Sequence, residues 1–239
     1  MSQSTLAAPA PAPAAARNTI ALAGMRAAIA RNMEAGWRVP RVAQSIEVDV
    51  SAVERLRAAW PAGQDNTPRP SLTAYVLRAV ALTLRDHPRL NARMLDKEIE
   101  LMPEINLGLA VSLDEGLMVP VLRQADGKSV AELAGEARTL AAGARAGTLG
   151  AGAYQRGTFT VTNLGTTGID SFTPIINAPQ VAILGMTRVA VRAVVRDGAV
   201  VAAPMMGLHL VFDHRAVDGY PAALFLTDLQ RRLETTEGL

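Results

Sequence analysis

The 239-residue chain is 49% hydrophobic and carries a net charge of only +2, which allows a substantial core and leaves too little charge excess for a polyanion binder. Its pI of 9.4 does not alter this, because Lys occurs only at Lys97 and Lys128 and a small excess of strongly basic Arg raises the pI steeply. With no Cys, disulfides, thiolate metal sites and cysteine nucleophiles are excluded. No apolar run reaches the roughly 18 residues of a membrane span and no basic segment precedes an apolar block, so a cytoplasmic protein without membrane or nucleic-acid partners is expected.

Residues 1–17 are almost entirely Ala and Pro, including the alternation from Ala8 to Pro13, and read as an extended tether or a frayed terminus. Residues 18–239 read as one domain. From Leu22 to Trp37, Leu22, Met25, Ile29 and Met33 recur at helical spacing, with Arg26 and Arg31 elsewhere on the helix. Val42 to Val50 alternates as a strand, and Ser51 is placed to cap a helix running to Trp60. A polar loop from Asp65 to Pro70 precedes Ser71, which caps an apolar helix that stops before His87-Pro88. His87 is read as a helix-end residue.

Ile105 to Leu113 reads as a central strand, followed by a turn at Asp114-Glu115-Gly116 and a strand from Leu117 to Leu122. Ser129 to Arg145 is an amphipathic helix, with Gly143 and Gly147 helping to end it. In the strand Thr158 to Gly165, alternation puts Phe159 and Val161 on one face and Thr158, Thr160 and Thr162 on the other. A loop with two prolines, Phe172 to Gln180, leads into the strand Val181 to Gly185, and Asp197-Gly198 marks a hairpin between Met186 and Val201.

Leu208 to Phe212 reads as a buried strand that delivers Asp213, His214, Arg215, Asp218 and Gly219 within a few residues. This sets an imidazole beside carboxylates and a guanidinium, a suitable setting for a general base; the alternative is a charged turn leading into a helix. His209 is read as turned away from Asp213, structural or lining another surface. The terminal helix, Tyr220 to Leu233, shows an apolar stripe of Leu224, Phe225, Leu229 and Leu233.

The run from Asp213 to Gly219, DHRAVDG, resembles the signature of the acyltransferase (E2) catalytic domain of 2-oxoacid dehydrogenase complexes, which shares its fold with chloramphenicol acetyltransferase. INLGLAVSLDEGLMVPVLR, TNLG, PIIN and AILG follow the same family in order, over about residues 20–234. The resemblance implies a two-layer α/β fold, a mixed β-sheet packed with helices. It implies transfer of an acyl group between the thiols of dihydrolipoamide and coenzyme A, with His214 as general base and Thr162 as oxyanion donor. Asp218 would orient the corner through an arginine, Arg26 or Arg215.

Further implied substrate contacts are Pro174, Leu184 and Asn163. Coenzyme A would be a substrate, lipoamide would be supplied in trans by a lipoyl-domain protein, and no metal is required. The family's active site lies between subunits of a trimer, so a homotrimer working with 2-oxoacid dehydrogenase subunits is expected. Pro40-Arg41 departs from the family, which usually carries a His after this Pro, and no apolar tail of the kind that joins trimers is seen beyond Leu239, so assembly is expected to stop at the trimer. Two other readings stay open: a free-standing CoA-dependent acetyltransferase for a small-molecule acceptor, and a non-catalytic trimeric scaffold.

Overall fold

The computed structural model of the protein describes residues 18–61, 69–113 and 116–239. The tether expected at 1–17, most of the loop at 65–70 and turn residues 114 and 115 lie outside the described residues.

Helix α1 (Gly24–Trp37) starts two residues later than expected and buries only Gly36, whose lack of a Cβ lets the helix approach the Ile176 carbonyl. Strand β1 (Arg41–Asp49) then leads into α2 (Ser51–Ala59). The expected Ser51 cap does not form: Ser51 is already the first helical residue, and Asp49 Oδ1 accepts from its N–H at 2.9 Å instead. Helix α3 (Leu72–Asp86) does begin as expected, with Ser71 Oγ accepting from Ala74 N at 3.3 Å. At its other end the ring of His87 meets Asp228 at 2.8 Å and packs edge-on against Phe225.

After the small hairpin β2 (Ala92–Met94) and β3 (Ile99–Leu101), the expected strand at 105–113 divides in two. β4 (Leu107–Leu109) stays in the main sheet, whereas β5 (Val111–Leu113) peels off to pair with β6 (Gly116–Met118). The partner run divides as well, with β7 (Val121–Leu122) returning beside β4. Pro120 lies between β6 and β7 and has no N–H to continue a ladder, which accounts for the break. Ala110, at the break, and Leu117, on β6, line the cavities described below.

Helix α4 (Val130–Ala146) carries a reciprocal capping box between Ser129 and Glu132. Gly143 lies inside it, and Gly147, at φ 67°, ends it alone. The remaining elements are β8 (Phe159–Asn163), β9 (Ala182–Arg196), β10 (Ala199–Asp213) and α5 (Gly219–Thr235). Asp197 and Gly198 both have positive φ, as the two-residue turn between β9 and β10 requires.

Among the described residues, six strands form one mixed sheet in the order β1-β10-β9-β8-β4-β7, with β8 parallel to both β9 and β4. One face of the sheet, bearing Phe159, Val161, Leu184, Leu210 and Phe212, packs on α3, α4 and α5. Each such buried side chain is worth about 1.5–3 kcal/mol. On the terminal helix, Leu224 is exposed and the buried stripe is Ala222, Phe225, Leu226, Leu229 and Leu233, since residues 224 and 225 are too far apart in rotation to share it. The opposite face of the sheet carries Ile183 and Val211 beneath Ile176 and Val39. The architecture is the two-layer α/β arrangement expected.

Candidate active site

Strand β10 ends at Asp213, and the chain turns there around that side chain. Asp213 is 1% exposed, accepts from Arg215 N at 3.0 Å and from Arg215 Nη2 at 2.6 Å, and its own N–H donates to the Val181 carbonyl at 2.8 Å. With the turn fixed in this way, His214 projects outward, its backbone N–H held by the Pro40 carbonyl at 2.8 Å and its side chain 45% exposed. Asp218 Oδ1 lies 3.9 Å from His214 Nδ1, within ion-pair range and beyond a hydrogen bond. Arg215 is therefore not the partner expected for Asp218, because Asp213 occupies its guanidinium.

On β8 and at the residue just before it, the three threonines of one face differ in what they bond. Thr158 Oγ1 donates to the Asn106 carbonyl at 3.1 Å and Thr160 Oγ1 to Gln180 Oε1 at 2.6 Å, both fully buried. Thr162, only partly buried, lines two cavities that meet at its position. The first, about 500 Å³, is bordered by Arg69, Arg138, Arg145, Ser71 and Asn163. The second, about 280 Å³, is apolar, with Phe172, Pro174, Ile183, Ile29 and Met33 in its wall. Across the sheet, Thr162 pairs with Gly185, which pairs with His209. His214 is thus two strands away and five residues further on, on the order of 20 Å from Thr162 within one chain by strand geometry.

The family model for 2-oxoacid dehydrogenases acyltransferase (catalytic domain) matches residues 14–239. The chain belongs to this family. It is 38% identical over 231 residues to the dihydrolipoyllysine-residue acetyltransferase component of the pyruvate dehydrogenase complex of Bacillus subtilis, covering 95% of this chain and 52% of that protein. The corresponding component from Staphylococcus aureus is 37% identical over 218 residues, covering 89% of this chain and 50% of that one. The chain spans about half the length of these curated relatives.

Among solved structures, the dihydrolipoamide acetyltransferase of Azotobacter vinelandii superposes with a TM-score of 0.89 at 32% identity, covering 96% of this chain and 98% of that one. A probable dihydrolipoamide acetyltransferase from Listeria monocytogenes gives 0.88 at 33%, covering 93% and 96%. Chloramphenicol acetyltransferase, with a TM-score of 0.52 at 18% identity over 85% of this chain and 94% of that one, shares the fold.

Within this family member, Pro174 lines the apolar cavity and Asn163 the arginine-bordered cleft, though Asn163 spends its amide on Thr73 Oγ1 at 3.0 Å and the Gly165 N–H at 2.6 Å. Leu184 is not where the sequence suggested. It is fully buried among the helices, because alternation on β9 gives the cavity side to Ile183 and Gly185. His209 also needs correction: four residues from Asp213 on one strand, it shares that residue's face, the one opposite the helix layer. Sequence reasoning missed Arg69, Arg138 and Arg145, none of which forms an ion pair among the described residues. The spacing of Arg138 and Arg145 by two helical turns was the available signal.

Among the described residues no helix is long and apolar enough to cross a membrane, and no cluster of His, Asp and Glu is arranged to hold a metal ion.

Proposed function

We propose that the chain moves an acyl group between the thiols of dihydrolipoamide and coenzyme A, as the catalytic core of a 2-oxoacid dehydrogenase-type complex. The observation that carries this reading is the position of Thr162. Its hydroxyl stands where an apolar cavity sized for an acyl group opens into a cleft bordered by three guanidinium groups, a match to the phosphates of coenzyme A. The relatives named above are dihydrolipoyl acetyltransferases, which agrees with this chemistry.

In this mechanism His214 removes the proton from the attacking thiol, and the thiolate adds to the thioester carbonyl. Thr162 donates a hydrogen bond to the oxyanion. The tetrahedral adduct then breaks its other carbon–sulfur bond, and the departing thiolate takes back the proton held by His214. Asp218 Oδ1, 3.9 Å from His214 Nδ1, borders the imidazole on the side away from the thiol and helps to orient the ring.

Because β9 lies between the strand that ends at His214 and the one that carries Thr162, and the two residues stand on the order of 20 Å apart in one chain, a complete site requires His214 of one copy to face Thr162 of another, in a homotrimer. Pro174 and Asn163 border the two approaches to that meeting point. The acyl donor is a lipoyl domain, and the other partners are the remaining components of the complex.

The test measures acetyl-CoA consumption with dihydrolipoamide and, in parallel, with a panel of alcohols and amines. Transfer to the dithiol that falls by several orders of magnitude in His214→Ala supports the proposal. Transfer to an alcohol or amine instead would favour a free-standing acetyltransferase, and a rate indifferent to His214→Ala would favour a scaffold.

A further inference from the structure

One row of the sheet joins Thr162, Gly185, His209 and Ser45, on β8, β9, β10 and β1 in turn. The gap left by Gly185 is filled from above by Phe172: a Cβ at residue 185 would sit 2.7 Å from Phe172 Cζ. The ring therefore rests in a slot with Gly185 as its floor. On one flank lies the apolar cavity beside Thr162. On the other lies the His209 ring, centroid to centroid 6.1 Å from Phe172 and tilted by 47°.

The loop carrying Phe172 is staked two residues earlier. Asp170 receives Arg188 Nε at 2.7 Å and Nη2 at 2.9 Å, and Arg192 Nη2 at 3.3 Å, while Arg188 N–H donates to the Ile169 carbonyl at 3.0 Å. With the backbone held there, the Phe172 ring sits between the cavity beside Thr162 and the His209 ring, which stands against it on the side away from the cavity. Beyond His209 is a cavity of about 110 Å³ bordered by Ser45, Glu47, Asp170, Arg192 and Gly207. Among the described residues the Nε2 atom of His209 is buried with no hydrogen-bond partner, while the ring bonds the Asp170 backbone and so is braced against the loop that carries Phe172.

We infer that His209 is a positioning residue that sets acyl specificity through Phe172, keeping the ring pressed toward Thr162 so that the cavity takes a short acyl group and rejects longer or branched ones. This rests on the reading of the 280 Å³ cavity as the seat of the acyl group. Shortening His209 joins its space to the 110 Å³ cavity behind it, the ring moves back, and room opens beside Thr162 for further methylene groups. Discrimination of one methylene in an apolar pocket is worth about 10- to 200-fold.

The experiment compares kcat/KM for acetyl-, butyryl- and isobutyryl-CoA with dihydrolipoamide in the full chain and in His209→Ala and His209→Phe. His209→Ala is expected to raise the butyryl-to-acetyl ratio about tenfold or more while kcat for acetyl stays near wild type, and His209→Phe, which refills the space, to return the ratio to wild type. An unchanged ratio in His209→Ala overturns the inference. A general loss of kcat for every acyl group, unrelieved by His209→Phe, overturns it too.

A second readout does not depend on turnover. The chain has four Phe, so incorporated 4-fluorophenylalanine gives a ¹⁹F spectrum in which Phe172→Leu assigns one signal. His209→Ala is expected to move that signal and leave those of Phe159 and Phe225 in place, and a Phe172 signal that does not move overturns the inference. A moved signal in a chain that transfers no acyl group between thiols would sink the proposed function and leave the contact from His209 to Phe172 standing. If His209→Ala does not fold, His209→Asn, smaller than His and still polar, takes its place in both measurements.

Discussion

Asp213 holds Arg215 from inside the protein: its carboxylate is 1% exposed and takes both the Arg215 backbone N–H and the guanidinium, so the turn presenting His214 is built on a buried anion. Removing that charge leaves the guanidinium and the turn without their anchor. Asp213→Asn is expected to cost roughly 2–3 kcal/mol, less than a fully buried pair because Arg215 is half exposed. Thermal unfolding followed by circular dichroism checks this, and an unchanged midpoint would show that the turn holds without it.

Thr162 tests the proposed oxyanion role separately from binding. Thr162→Val keeps the shape and removes the donor, so kcat is expected to fall about 10²- to 10³-fold with KM for the acyl donor little changed, whereas Thr162→Ser retains most of the rate. Steady-state kinetics on the three proteins decides it. Equal losses in Val and Ser would point to packing of the methyl group rather than to the hydroxyl.

The arginine-bordered cleft makes a different prediction. Arg138→Ala and Arg145→Ala are each expected to raise KM for coenzyme A about tenfold while leaving KM for the phosphate-free dihydrolipoamide unchanged, since a charge-assisted hydrogen bond contributes about 1.5–3 kcal/mol. Titration calorimetry with coenzyme A gives the same comparison without turnover. Parallel effects on both substrates would remove the cleft from the account.

Burial pushes the His209 imidazole below its ordinary pKa, with the Asp170 carbonyl opposing. The charged groups facing it are Asp170 from its loop, Glu47 from β1 and Arg192 from β9. Between its folded value and the unfolded value of about 6.5, only the unfolded chain holds the proton. Stability from the neutral ring is therefore present above that unfolded value and is lost as pH falls below it. Denaturant midpoints from pH 8 down to 5 should fall more steeply for the wild type than for His209→Asn, and identical slopes would contradict this.

Gly36 offers a test of how α1 is seated. A Cβ there would run into the Ile176 carbonyl and meet the Ile175 side chain at 2.8 Å, so Gly36→Ala is expected to lift the end of α1 and open the wall formed by Ile29 and Met33. Faster amide hydrogen exchange in residues 24–37, with α3 and α5 unaffected, is the expected outcome. Protection equal to wild type would mean that the helix accommodates the methyl group.

Much of this protein was legible from local chemistry. Ser71 announces its helix because a hydroxyl ahead of an apolar period satisfies free N–H groups, and Asp197-Gly198 announces its turn because few residue pairs accept two positive φ angles. Alternation alone divided Phe159 and Val161 from Thr158, Thr160 and Thr162. The signature around His214 led to the family and, through it, to the fold.

What the linear order withheld were relations between distant segments. That the two expected strands each divide, β4 and β7 staying in the main sheet while β5 and β6 pair apart from it, follows from which neighbour each strand meets, and Leu184 turned out to be core because the phase of β9 is set by its pairing with β8. Arg69, Arg138 and Arg145 converge only after α3 and α4 pack together, and Phe172 reaches His209 only across the glycine at 185. Local patterns are fixed by sterics and hydrogen bonding within a few residues. Which side chains share a cavity is decided by close packing of the whole chain, and no short stretch encodes that.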